Sequence, residues 1–170
     1  MKPRITLRLL LVLTGAIGIL LQCHYQGQLP SSVASNFGAG GRPNAYMPGE
    51  WNLTISVSGY LFTTLLFLAV PGLMRFQRKW VGFPNQTYWL APARKAQTLQ
   101  TLAGWIHFYG IMTNLFLLAV TRLVYLANLS APVRLDEGRF MVLLSGYFLI
   151  TVLWLLFLYR HFWRRPPASD

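Results

Sequence analysis

The sequence predicts an all-α integral membrane protein: one domain, residues 1–170, of four transmembrane helices with both termini cytoplasmic and a long ordered outer loop between helices 1 and 2. Three observations carry that reading. First, 54% of the 170 residues are hydrophobic and 11% are charged, which is the composition of a membrane domain. Second, four apolar runs, residues 5–21, 53–74, 103–127 and 140–159, have the ~17–25 residues that a helix needs to cross a bilayer. Third, the formal charge of +11 is one-sided. Lys2 and Arg4 precede the first run and Arg8 lies at its start, Arg75, Arg78, Lys79, Arg94 and Lys95 separate the second and third, and Arg160, Arg164 and Arg165 follow the fourth. The opposite side carries Arg42, Arg134 and Arg139, offset by Glu50, Asp136 and Glu137. This is the positive-inside pattern. The basic surplus therefore implies anionic lipid at the inner face as its partner, not nucleic acid.

In the first run, ITLRLLLVLTGAIGILL, Thr14, Gly15 and Gly18 let helix backbones approach closely. Packing within this chain is favoured over dimerisation. The single cysteine, Cys23, excludes an internal disulfide. Gln22 before it is too large for a lipobox, and no good small-x-small cleavage site ends the apolar run, so an uncleaved span is expected. The competing arrangement loses this segment and keeps three spans with the N-terminus outside.

The outer loop, residues 22–52, contains GAGG and RPN, where Gly supplies positive φ and Pro fixes φ. It is too long to be mere connection. A compact cap over the helix ends is expected, with a short helix around Ser31–Phe37 and with Phe37, Tyr46 or Trp51 as anchors. In the second run, the hydroxyls of Thr54, Ser56, Ser58, Thr63 and Thr64 are expected to bond back to their own helix. Pro71 and Gly72 mark its inner end. The inner interfacial loop, residues 75–102, mixes cations with Phe76, Trp80, Phe83, Tyr88 and Trp89, a membrane-interface composition. Pro92 suits the first turn of a short helix leading into the third span.

The third run organises the chain. His107, Asn114, Thr121 and Asn128 recur every seven residues, so they share one helix face, with Gly110 close to the same line. Such a stripe must turn inward, because an unpaired amide in hydrocarbon costs several kcal/mol. At 1.5 Å per residue, His107 sits ~6 Å into the core, Asn114 ~17 Å and Arg122 ~28 Å. Asn114 is thus the midplane residue. Two readings stay open for it: a helix–helix hydrogen bond worth ~0.6 kcal/mol, which is favoured, and a polar gate or ligand contact. Arg122 lies near the far interface, where its guanidinium can snorkel to headgroups. The fourth run is the least polar, with hydroxyls at Ser145, Tyr147 and Thr151, and ends in a Trp–Arg anchor and an expected loose tail.

Two loop motifs carry a resemblance. LPSSVASNFGAGGRPNAYMPGEW resembles the signature of a family of small bacterial membrane proteins of unknown function. That family shares the N-terminal domain of SdpI-type immunity and signalling proteins. Leu29, Pro30, Val33, Ala34, Phe37, Gly41, Arg42, Pro43, Asn44, Tyr46 and Met47 match, while the family's frequent histidine is Asn36 here. FPNQTYWLAPARKAQT resembles a motif after the second span of many members, matching at Pro84, Asn85, Tyr88, Trp89, Leu90, Ala91, Pro92 and Arg94; an expected acidic residue is Ala93. The resemblance implies a bacterial inner membrane location and constrains fold more than function.

Catalytic machinery is not legible. No carboxylate lies inside a span, and His24, His107 and His161 fall at different depths, which excludes a shared metal or haem site and a catalytic triad. The expectation is a non-enzymatic membrane protein that works by binding, without cofactor or metal. Two classes remain. One is an accessory subunit packed on a larger membrane complex of respiratory or photosynthetic type, a reading favoured because resembling immunity proteins are longer. The other is an immunity or signalling protein whose outer loop meets an extracellular peptide toxin. His107, Asn114, Thr121, Arg122, Phe37, Tyr46, Trp51, Tyr88 and Trp89 are the partner or packing candidates.

Overall fold

The computed structural model describes residues 3–74 and 84–163. Four helices are long and apolar enough to cross a membrane: α1 (Pro3–Gln26), α2 (Gly49–Leu73), α4 (Pro92–Leu129) and α5 (Glu137–Trp163). This is an all-α, multi-pass membrane architecture. A two-stranded antiparallel hairpin, β1 (Ser32–Phe37) and β2 (Pro43–Pro48), fills the α1–α2 connection, and one helical turn, α3 (Gln86–Trp89), precedes α4. Lys2, Arg75, Arg78, Lys79, Arg164 and Arg165, the aromatic residues Phe76, Trp80 and Phe83, and the expected loose tail lie outside the described residues.

Helix α4 is central and packs against α1, α2 and α5. It is 38 residues long, so at 1.5 Å per residue it spans ~57 Å, nearly twice the hydrocarbon thickness. The short separate helix expected at Pro92 is absorbed into it. Pro92 sits in the first turn, where its missing N–H has no intrahelical role, and nothing interrupts the helix before Leu129. The other helices likewise outrun the apolar runs by a few residues, because hydrogen bonding and not hydropathy decides where a helix stops.

Helices α1 and α2 approach closely through the predicted small residues. A Cβ on Gly15 would strike the Thr64 side chain, and one on Gly18 would strike the Tyr60 ring. Helix α5 packs on α4 through a ladder of aromatic rings and hydroxyls. Tyr109 stacks on Trp154 at 4.6 Å, and Phe116 stacks on Tyr147 at 4.3 Å. The hydroxyls of Tyr109 and Thr151 are 2.9 Å apart, as are those of Thr113 and Tyr147.

The hairpin corrects one expectation. Residues 31–37 are predicted helical, yet Ser32–Phe37 is a strand. Gly40 and Gly41 take φ of +72° and +69°, which reverses the chain and brings Pro43–Pro48 alongside as a pairing partner. Local helix formation cannot compete once that partner is in place.

Candidate functional site

The polar stripe of α4 is buried along most of its length. His107, Asn114 and Asn128 are 1%, 0% and 6% exposed, and Gly110 packs against Phe67 of α2. Thr121 lies 3.1 Å from the Tyr60 hydroxyl.

Asn114 joins three helices. Its Oδ1 accepts from Thr63 Oγ1 at 3.1 Å. Its Nδ2 points at Thr64 Oγ1 (3.1 Å), Thr14 Oγ1 (3.3 Å) and the Leu11 carbonyl (3.4 Å). Thr63 and Thr64 are thus more than self-bonded hydroxyls, and the expectation of one weak bond is replaced by a network. At ~0.6 kcal/mol per bond in a membrane, Asn114→Leu is expected to lose about 2 kcal/mol, measured by unfolding in mixed detergent micelles. A loss below ~0.5 kcal/mol would mean the threonines simply return to their own helix carbonyls.

His107 behaves differently. Among the described residues, neither of its ring nitrogens has a hydrogen-bond partner, although both are buried. An unsatisfied buried polar group costs about 1–3 kcal/mol. His107→Leu is therefore expected to leave stability unchanged or raise it by about 1 kcal/mol in the same assay. A large loss would reveal a partner that the ring holds in the membrane.

Asn128 closes the seam at the hairpin end. Its Oδ1 accepts from the Ala34 N–H at 2.7 Å, and its Nδ2 donates to the Ala34 carbonyl at 3.0 Å. One amide side chain thus takes the place of a neighbouring strand. Val33 and Ala34 are fully buried beneath it. The hairpin tip is fixed separately. Leu135 N–H donates to the Gly41 carbonyl (2.9 Å), Gly40 N–H donates to Glu137 Oε2 (2.9 Å), and Arg134 Nε donates to the Gly40 carbonyl (2.8 Å).

The expected cap is therefore ordered, but its anchors differ from those predicted. Tyr46 and Trp51 are 54% and 64% exposed, and Phe37 is half-buried. Tyr46 is the cross-strand partner of Ala34 and stays exposed, so the small residues of β1 form the seat; Trp51 lies outside the hairpin, in the first turn of α2.

At the opposite end, the second motif locks the end of α5. Asn85 Nδ2 donates to the Trp163 carbonyl (2.7 Å), and Trp89 Nε1 donates to the Phe162 carbonyl (2.9 Å), satisfying groups that a helix end leaves unpaired. Trp89 meets Phe162 edge-on, and Phe162 is fully buried. Tyr88, half-buried, meets Trp89 edge-on at 5.2 Å and carries the Arg94 guanidinium 4.1 Å above its ring. Arg122 is exposed on α4.

The chain matches no family model, no curated protein and no solved structure.

The seam is thus a structural core of hydrogen bonds, and the hairpin is the feature that it displays. The residues missed in the sequence are those of the α4–α5 ladder and the hairpin-tip contacts. A signal existed for the first: Tyr109, Thr113 and Phe116 repeat the spacing of Tyr147, Thr151 and Trp154. The tip contacts had none: Gly41 meets Leu135 through backbone atoms alone, and Glu137 and Arg134 meet the backbone of Gly40 from 97 and 94 positions away.

Proposed function

We propose that the protein works by binding, as an accessory subunit that packs on a larger membrane protein complex through the outer face of its hairpin. The observation that carries this reading is the hairpin itself. It is fastened at its buried strand and at its tip, yet it leaves Tyr46 turned outward, and Trp51 in the first turn of α2 is exposed as well. Rigid, exposed aromatic side chains lose little entropy on contact and dominate interface energetics. The amide of Asn114 is meanwhile consumed by contacts within the bundle.

A Tyr46→Ala/Trp51→Ala variant should keep the unfolding midpoint of the native protein. It should lose a stoichiometric partner that the native protein retains through purification in mild detergent. If the native protein runs alone at monomer or dimer size, the subunit reading is dead.

The charge asymmetry supports an inner-membrane orientation with both termini cytoplasmic and the hairpin outside. Cys23, exposed near the hairpin end of α1, provides the test. A membrane-impermeant maleimide should label it in intact cells. Labelling only after permeabilisation reverses the orientation.

A further inference from the structure

At the hairpin end, the α4–α5 contact opens into a groove of about 500 Å³, within the ~300–1,000 Å³ range of small-ligand pockets. Its walls are the apolar side chains of Leu123, Leu126, Val142 and Leu143, and Arg122 and Arg139 line it as well. It begins one turn beyond the Phe116–Tyr147 stack, where the ring ladder closes the same interface. Arg122 lies eight residues from Asn114, ~12 Å along the helix. That places it near the edge of a hydrocarbon core whose half-thickness is ~15 Å.

The charges around the groove do not balance. Arg139 pairs with Asp136 at 3.0 Å, while Arg122 pairs with no carboxylate among the described residues. Two guanidiniums and one carboxylate leave one positive charge. We propose that this groove binds one glycerophospholipid of the leaflet on the hairpin side, its phosphodiester between Arg122 and Arg139 and an acyl chain along the apolar walls. A phosphodiester carries the single negative charge required, and guanidinium groups match its geometry. A soluble anion would leave the apolar walls unused. Simple snorkelling would need neither a second arginine from the neighbouring helix nor a groove that accommodates a chain. The proposal is independent of the subunit reading, since it uses none of the residues on which that reading rests.

Native mass spectrometry of the protein in mild detergent, stripped of lipid and then titrated with phosphatidylglycerol, tests it. One lipid per chain is expected. Arg122→Gln removes a charge-assisted contact and should weaken retention roughly tenfold. Val142→Trp, at a position 74% exposed and so tolerant of bulk, fills the groove with both arginines intact and should weaken it comparably. Diacylglycerol, which has the same chains without the phosphate, should not be retained. The proposal is overturned if either variant keeps the native affinity, if diacylglycerol binds equally well, or if inorganic phosphate at equal concentration displaces the lipid.

Discussion

Asn128→Ala is expected to undock the hairpin and to lower stability by about 3 kcal/mol. The side chain makes both backbone hydrogen bonds of Ala34, whose residue is fully buried. Removing it leaves an N–H and a carbonyl unsatisfied in a site with little room for water, and each such group costs about 1–3 kcal/mol. The Val124 carbonyl loses a donor as well, but it keeps its place in the helix. Two measurements check this: the unfolding midpoint in mixed micelles, and cleavage of residues 32–48 by protease added from the hairpin side. Asn128→Asp is a useful companion: its carboxylate would face the Ala34 and Val124 carbonyls at a buried position, so it should lose at least as much as alanine. Full stability in Asn128→Ala would mean that the hairpin rests on its tip contacts alone.

Gly41→Ala is expected to produce a loss of similar size, about 3 kcal/mol, through another route. The residue has φ of +69°, where an L side chain costs about 1–2 kcal/mol. Its Cβ would also collide with the Leu135 carbonyl, a backbone atom that cannot rotate away. The tip must lift, and the Leu135 N–H bond to Gly41 goes with it. Hydrogen exchange should show this as lost protection at Leu135 and Gly40, with the α1–α2–α4 seam still protected. Unchanged exchange at both amides would show that the α4–α5 connection simply moves aside.

Much of the membrane domain is legible in the sequence, and the reason is physical. Lipid penalises a polar side chain turned toward it, so a seven-residue recurrence of His107, Asn114, Thr121 and Asn128 already says which face of α4 is central. The small residues of α1 point to close packing by the same logic, and Gly15 and Gly18 do meet Thr64 and Tyr60. The hairpin is harder to read. SVASNF has no strict apolar alternation, and its seat is an asparagine far away in sequence. Tyr46 and Trp51 mislead because an aromatic residue in a loop suggests an inward anchor, whereas Val33 and Ala34 of β1 form the seat and Trp51 belongs to the first turn of α2. Both loop motifs acquire a structural account. One builds the hairpin turn and the other caps α5 through Asn85 and Trp89.

The tie between Ala34 and Asn128 also sets a schedule for assembly. The two residues are separated by 94 positions. At a synthesis rate of ~5–20 residues per second, the first strand leaves the ribosome roughly 5 to 20 seconds before its side-chain partner exists. During that interval α1, the hairpin and α2 are in place without the helix that seats them, and the backbone of β1 beside Ala34 is an open edge. The tip waits longer still, since Leu135 and Glu137 are made after Asn128. Seating of the hairpin therefore comes after insertion of α4, and a seated hairpin certifies that the bundle beneath it is complete. A nascent chain arrested before Asn128 should present this strand to chaperones and proteases, and one arrested after α5 should not.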